Sequence, residues 1–231
     1  MVAKRVAAML WAVTMSCACC GIFATEAASG MDCTSTVYQD QLALRVVRMV
    51  NPSDEEVLRL LETAVSPEHV GEYSIAQVCD VFDYLDERWE YVPDRSNLGD
   101  TLTPPWITLL TMQGDCEDFA VVLASAILSL GGCAEIGLEA DEASGHACAR
   151  LFVGDDWDAV VQLRAYLRFR YRTAHVFVSE DDEGHHWIRL DSYPGDSFWW
   201  RQGRTIITCK RVIFDVPPSK QTTPLVPELG E

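Results

Sequence analysis

Apolar residues along the first half of this chain recur with the period of a helix. In "NPSDEEVLRLLETAVSP", Val57, Leu60, Leu61 and Ala64 form one stripe, and Ser53 with Glu56 has the capping-box spacing. "SIAQVCDVFDYLDERWEYV" repeats the logic, with Ser74 and Gln77 as the cap. Ile75, Val78, Cys79, Phe82, Leu85 and Trp89 then share a face, which places Cys79 in the core. "PDRSNLGDTLTPPWITLLTMQGD" is rich in Pro, Gly and Asp and reads as a loop. It leads into "QGDCEDFAVVLASAILSLGG", a predicted helix from Cys116 to the glycines at 131 and 132. Phe119, Val122, Leu123, Ala126, Ile127 and Leu130 leave it hardly any polar face, so it should be buried on most sides.

The pattern then shortens to that of strands. "CAEIGLEA", "HACARLFV", "AHVFVS", "HWIRLD" and "TIITCKRVIFDV" alternate or are rich in β-branched residues. Between the second and third lies "DDWDAVVQLRAYLRFRYR", a helix with acids first and arginines last, as the helix dipole favours. Val160, Leu163 and Leu167 should face inward, and the arginines read as a solvated helix end. "SEDDEGHH" reads as a hairpin loop, and "VPPSKQTTPLVPELGE" as a disordered polar tail. Helices followed by strands predict an α+β fold.

Composition narrows the function classes. The 231 residues carry a formal charge of −17, which argues against a nucleic-acid surface. Lys4 and Arg5 are followed by "VAAMLWAVTM", an apolar run too short for an ordinary membrane span, and then by small residues, which together read as an export signal over 1–27. Two processing routes fit: cleavage after Ala27, or lipidation at Cys17 or Cys19 in "MSCACC". The expected location is the periplasm or a lipid anchor on the cell envelope, the anchor being the sole membrane contact. Of nine cysteines, Cys33, Cys79, Cys116, Cys133, Cys148 and Cys209 lie beyond the signal. Their spacing is irregular and contains no C-x-x-C, so few or no disulfides and no structural zinc site are expected. No calcium-loop pattern appears, and no metal or other cofactor is predicted.

Cys116 is the candidate for chemistry. Asp115 suits the N-cap and Asp118 the N3 position, so the thiol falls on the first helical residue. Free N–H groups and the dipole end there should lower its pKa, and Gly114 permits a tight turn into the helix. A nucleophile needs a base, and the chain has five histidines. His69 sits in a polar turn, and His185 and His186 flank the hairpin tip, so surface roles are expected of all three. His146 opens "HACARLFV" on the less apolar face, beside Cys148 and Arg150. His175 opens the more apolar "HVFV". Asp191, closing "HHWIRLD", can accept an imidazole N–H and fix its tautomer.

Together, "GDCEDFAVVLASAILSLGG", "GHACARLFV" and "WIRLD" resemble the transglutaminase-like superfamily of papain-type thiol enzymes. The likeness covers about residues 80–200 and includes the upstream "WEYVPDRSNLGDTLTPPWITLL". It implies a papain-like core within an α+β fold: a domain over 73–216, preceded by a helical extension over 28–72 and followed by the tail at 217–231. It also implies Cys116 as nucleophile, His146 as base and Asp191 as orienter. The implied reaction is hydrolysis or transamidation of an amide bond in a peptide or protein substrate. One departure stands out: His146 and Asp191 are separated by 45 residues, with the Arg-rich helix between them. His175, 16 residues before Asp191, is therefore a rival base. Gln113 and Trp106 are candidates for a second oxyanion donor beside the Cys116 N–H, and "SFWW" reads as core. A non-catalytic binding or scaffold module of the envelope is the alternative function.

Overall fold

The computed structural model describes residues 36–94, 101–140, 145–172, 176, 178–191, 208–213 and 226–227. The expected export signal, Cys33, His175 and the "SFWW" run lie outside the described residues. Three helices come first, α1 (Thr36–Met49), α2 (Glu55–Ala64) and α3 (Ile75–Arg88), and a fourth, α4 (Pro105–Thr111), lies between the first two strands. The strand pair β1 (Glu90–Tyr91) and β2 (Gln113–Gly114) runs parallel. It leads into the central helix α5 (Cys116–Ser129). The strands β3 (Ala134–Ala140) and β4 (Gly145–Gly154), helix α6 (Trp157–Tyr171), and strands β5 (Val178–Glu180), β6 (His186–Leu190) and β7 (Thr208–Ile213) complete the order. The five strands β3–β7 form an antiparallel sheet in the order β5-β6-β4-β3-β7. The predicted α/β mixture is therefore present.

Caps explain where the helices begin. The capping box of Ser74 and Gln77 forms, with the Ser74 N–H donating to Gln77 Oε1 at 2.8 Å. The α2 cap lies one residue later than the Ser53 expected: Asp54 accepts the N–H groups of Glu56 and Val57. A carboxylate there also meets the dipole end. The Pro-rich stretch is not wholly loop. Pro105 sits on the first turn of α4, where its missing N–H is no loss, and buried Thr108 and Leu109 hold the helix down. α4 ends on Met112 with a left-handed backbone, φ 52°.

The core lies between the sheet and the helices. On α5 every residue from Asp118 to Ile127 is buried, as its lack of a polar face predicts. One sheet face, with Ile136, Leu138, Ala147, Ala149, Leu151, Ile188 and Leu190, joins this core, as do Val160, Leu163 and Leu167 of α6. Phe119 stands edge-on to both Trp89 (centroids 5.0 Å apart) and Phe82 (6.1 Å). Cys79 is core, as expected, and Cys79, Cys116, Cys133 and Cys148 are free thiols.

Some side chains are less solvated than the sequence suggested. Arg170 bridges Asp80 (2.8 Å) and Asp83 (2.7 Å) on α3, so the end of α6 is a tie between helices. His69 is half-buried, its Nδ1 2.5 Å from Asp80 Oδ2. The hairpin at Asp181–His185 forms as expected, but His186 is buried, with Nδ1 donating to the Gly154 carbonyl at 3.1 Å. Val226 of the expected disordered tail packs against the core. Among the described residues no helix is long and apolar enough to cross a membrane.

Candidate active site

The segment before Cys116 is stitched to the end of α3. The Gly114 carbonyl accepts Trp89 Nε1–H at 3.2 Å and the Val92 N–H at 3.0 Å, and the Glu90 N–H donates to Met112 at 2.9 Å. Position 114 must be glycine because a Cβ there would lie 2.6 Å from the Cβ of Asp118. Asp118 in turn accepts the Thr103 N–H at 2.8 Å, which fixes the loop above the helix start. Asp115 takes the N-cap in extended backbone, so Cys116 is the first residue of α5.

The thiol is half-buried at the sheet edge. It donates to Glu117 Oε2 at 2.9 Å, while the Ala147 N–H acts to favour its ionised form. Ala147 lies two residues before Ala149, where the described pairing of β4 with β6 ends. The hydrogen bond of the sulfur thus runs to Glu117 rather than to the imidazole, and the N–H that opposes its raised pKa belongs to the residue after His146.

His146 and Asp191 meet despite their separation. His146 Nε2 is 2.7 Å from Asp191 Oδ2. An ionised carboxylate only accepts, so Nε2 carries the proton and Nδ1 is left for other work. Sheet pairing accounts for the approach: Ala149 stands opposite Leu190, which brings Asp191 beside the start of β4. The chain of α6 and β5 is an excursion between two adjacent strands. Burial of Asp191 favours its neutral form, but the His146 and Arg189 charges and hydrogen bonds outweigh it and hold the carboxyl down at about 2. Burial likewise works against a charged His146, and the Asp191 charge and hydrogen bond outweigh it, so the imidazole pKa is raised.

The helix start does not lower the thiol pKa. Burial, then the Glu117 and Asp115 charges, push the Cys116 thiol well up, against a smaller opposing effect of the Ala147 N–H. Burial and Glu117 raise Asp115 to about 8, while burial, partly offset by the Thr103 N–H, raises Asp118 to about 7. The dipole is outweighed by two neighbouring acids and by desolvation. Neither expected oxyanion donor is poised: Gln113 Nε2 donates to Glu90 Oε2 at 2.7 Å, and Trp106 is exposed on α4. Asp115, Cys116 and Glu117 each bring one ligand-type atom within 4.8 Å of the others, as do Asp181, Glu183 and His185.

Three residues of the site, Arg189, Glu139 and Glu117, are not singled out by sequence pattern. Arg189 and Asp191 lie two apart in "WIRLD" and so share a strand face, which is the one local signal for Arg189. Glu117 is visible in sequence only as the residue after the cysteine; its contact with the sulfur is a tertiary fact. Comparison with known proteins found no match for this chain among family models, curated proteins or solved structures.

Proposed function

We propose that this chain is an exported thiol acyl-transfer enzyme of transglutaminase-like, papain-type character. It would hydrolyse or transamidate an amide bond in a peptide or protein substrate. The observation that carries the reading is the His146–Asp191 pair, joined at 2.7 Å, with Cys116 on the first residue of the buried helix α5. Asp191 holds the ring through Nε2, so Nδ1 is the nitrogen that takes the thiol proton. The thiolate attacks the carbonyl carbon, the oxyanion is met by the Cys116 N–H at the helix start, and the amine leaves with the proton from the imidazole. Water, or an amine in transamidation, then releases the acyl group from sulfur.

One observation favours the second reading, a non-catalytic envelope module. The thiol is bonded to a carboxylate and its pKa is raised, opposite to a resting thiolate. On the enzyme reading, entry of the substrate breaks the Glu117 bond and lets the proton pass to His146.

The test is turnover of an activated ester and of mixed peptides by the wild type and by Cys116→Ala, His146→Ala and His175→Ala. The expected result is loss of turnover in Cys116→Ala, a fall of about 10²- to 10⁴-fold in His146→Ala, and little change in His175→Ala. Loss in His175→Ala with retention in His146→Ala reassigns the base. A wild type without turnover, together with alkylation of Cys116 that ignores His146, establishes the binding module instead.

A further inference from the structure

A line of buried charges crosses the second face of the sheet and ends on the imidazole. Arg150 on β4 donates to Glu135 Oε1 at 3.1 Å and to Glu139 Oε1 at 3.0 Å, both on β3. Its guanidinium covers Gly137, where a Cβ would lie 3.0 Å from Nε. Arg189 on β6 takes the other oxygen of Glu139 at 2.7 Å. It also reaches Asp191 Oδ2, through Nε at 3.3 Å and Nη2 at 3.1 Å. That same Oδ2 accepts the His146 Nε2–H at 2.7 Å.

We infer that Arg189 is a positioning residue: anchored on Glu139, it shares one carboxylate oxygen of Asp191 with His146, and so sets both the aim of that carboxylate and the basicity of the imidazole. This rests on the acyl-transfer reading above. The physical reason lies in the shared atom. A buried carboxylate with one partner is free to turn about its last torsion, whereas three donors converging on Oδ2, Arg189 Nε and Nη2 with His146 Nε2, pin that oxygen in place. Arg189 is itself 10 % exposed and held by Glu139, so it cannot swing away with the carboxylate.

The sign of its effect follows from the charges around the ring. Asp191 and Glu139 favour the imidazolium, while burial and Arg189 oppose it. Cys148 and Arg150 lie on the same strand, and Cys116 with Asp115 and Glu117 stands at the start of α5. Removing the Arg189 charge frees both Asp191 and Glu139 to act on the ring, and its pKa should rise. Removing the Glu139 charge should lower it.

The experiment is NMR titration of the His146 ring in the full chain, in the wild type, Arg189→Gln, Arg189→Lys and Glu139→Gln. Arg189→Gln should raise the proton affinity of His146 about tenfold, which moves the midpoint up by about one pH unit. Arg189→Lys should restore most of the wild-type midpoint, and Glu139→Gln should move it the opposite way. An unchanged midpoint in folded Arg189→Gln overturns the proposal, as does a change that Arg189→Lys does not reverse. If Arg189→Gln fails to fold, a Glu139→Gln midpoint that does not fall overturns it equally. The ring is read without any substrate, so a chain that lacks turnover still answers this question separately.

Discussion

His146 Nε2 lies 2.7 Å from Asp191 Oδ2, although 45 residues separate them in the chain. The intervening segment forms α6 and β5, and the sheet then returns β6 to the side of β4. Adjacent pairing in space, with a long excursion in sequence, is how this fold joins a ring to its carboxylate.

Asp191→Asn should test that pair. Its carboxyl is held at about 2, below the ordinary 3.8, by His146 and Arg189. A depressed carboxylate contributes stability above its unfolded pKa and loses it as pH falls through the folded value. The wild type should therefore lose this contribution between about pH 4 and pH 2. At pH 7 Asp191→Asn should cost ~1–3 kcal/mol, since the His146 N–H and the Arg189 guanidinium lose a charged acceptor. Urea unfolding at several pH values measures both; an equal stability of variant and wild type at pH 7 contradicts the pairing.

Glu117→Gln should make the thiol more acidic. The carboxylate both accepts the S–H and repels a thiolate, so its neutral amide removes a charge that raises the Cys116 pKa. Alkylation by iodoacetamide at pH 7 should accelerate on the order of tenfold, the increase in thiolate that a pKa lower by about one brings. A rate that is unchanged or slower would show that burial alone holds the proton.

Asp118→Asn should flatten the fall of the melting temperature as pH rises from 5 to 8. The folded chain holds the Asp118 proton up to about 7, while an ordinary carboxyl releases it near 3.8. A raised pKa contributes stability below the unfolded value and loses it as pH rises through the folded one. The wild type should thus melt lower at pH 8 than at pH 5, with Asp115, held to about 8, adding to the trend. The asparagine keeps an acceptor for Thr103 and cannot ionise, so its melting temperature should fall less over that interval. Parallel curves would remove Asp118 from the account.

Gly114→Ala probes the approach to the nucleophile. Its Cβ would stand 2.6 Å from the Asp118 Cβ, which the helix cannot yield without moving Cys116 as well. Overpacking of this kind costs ~1–3 kcal/mol, readable by urea unfolding. The thiol alkylation profile should change with it. A variant as stable as the wild type would mean that the turn adapts.

Period and composition determined a good part of this molecule. The helical stripes of α2, α3 and α5, and the alternation of β3, β4 and β6, rest on local spacing, and each formed close to where the residues place it. Cys116 at the first residue of α5 was readable too, because Asp115 and the apolar run after it are local signals. The meeting of His146 with Asp191 was readable only as a pairing of residue types; strand order had to bring the two together. Local reasoning misjudged the thiol pKa. A helix N-terminus acts over one turn, whereas burial and the placement of the Glu117 and Asp115 carboxylates are set by how the loop and sheet close over the site. The same holds for Arg189: its sequence neighbours place it on the face of Asp191, but its hold on Glu139 exists only because β3, β4 and β6 lie side by side. Electrostatic environment depends on distances through space and on exclusion of water, and neither is written in the spacing of residues along the chain.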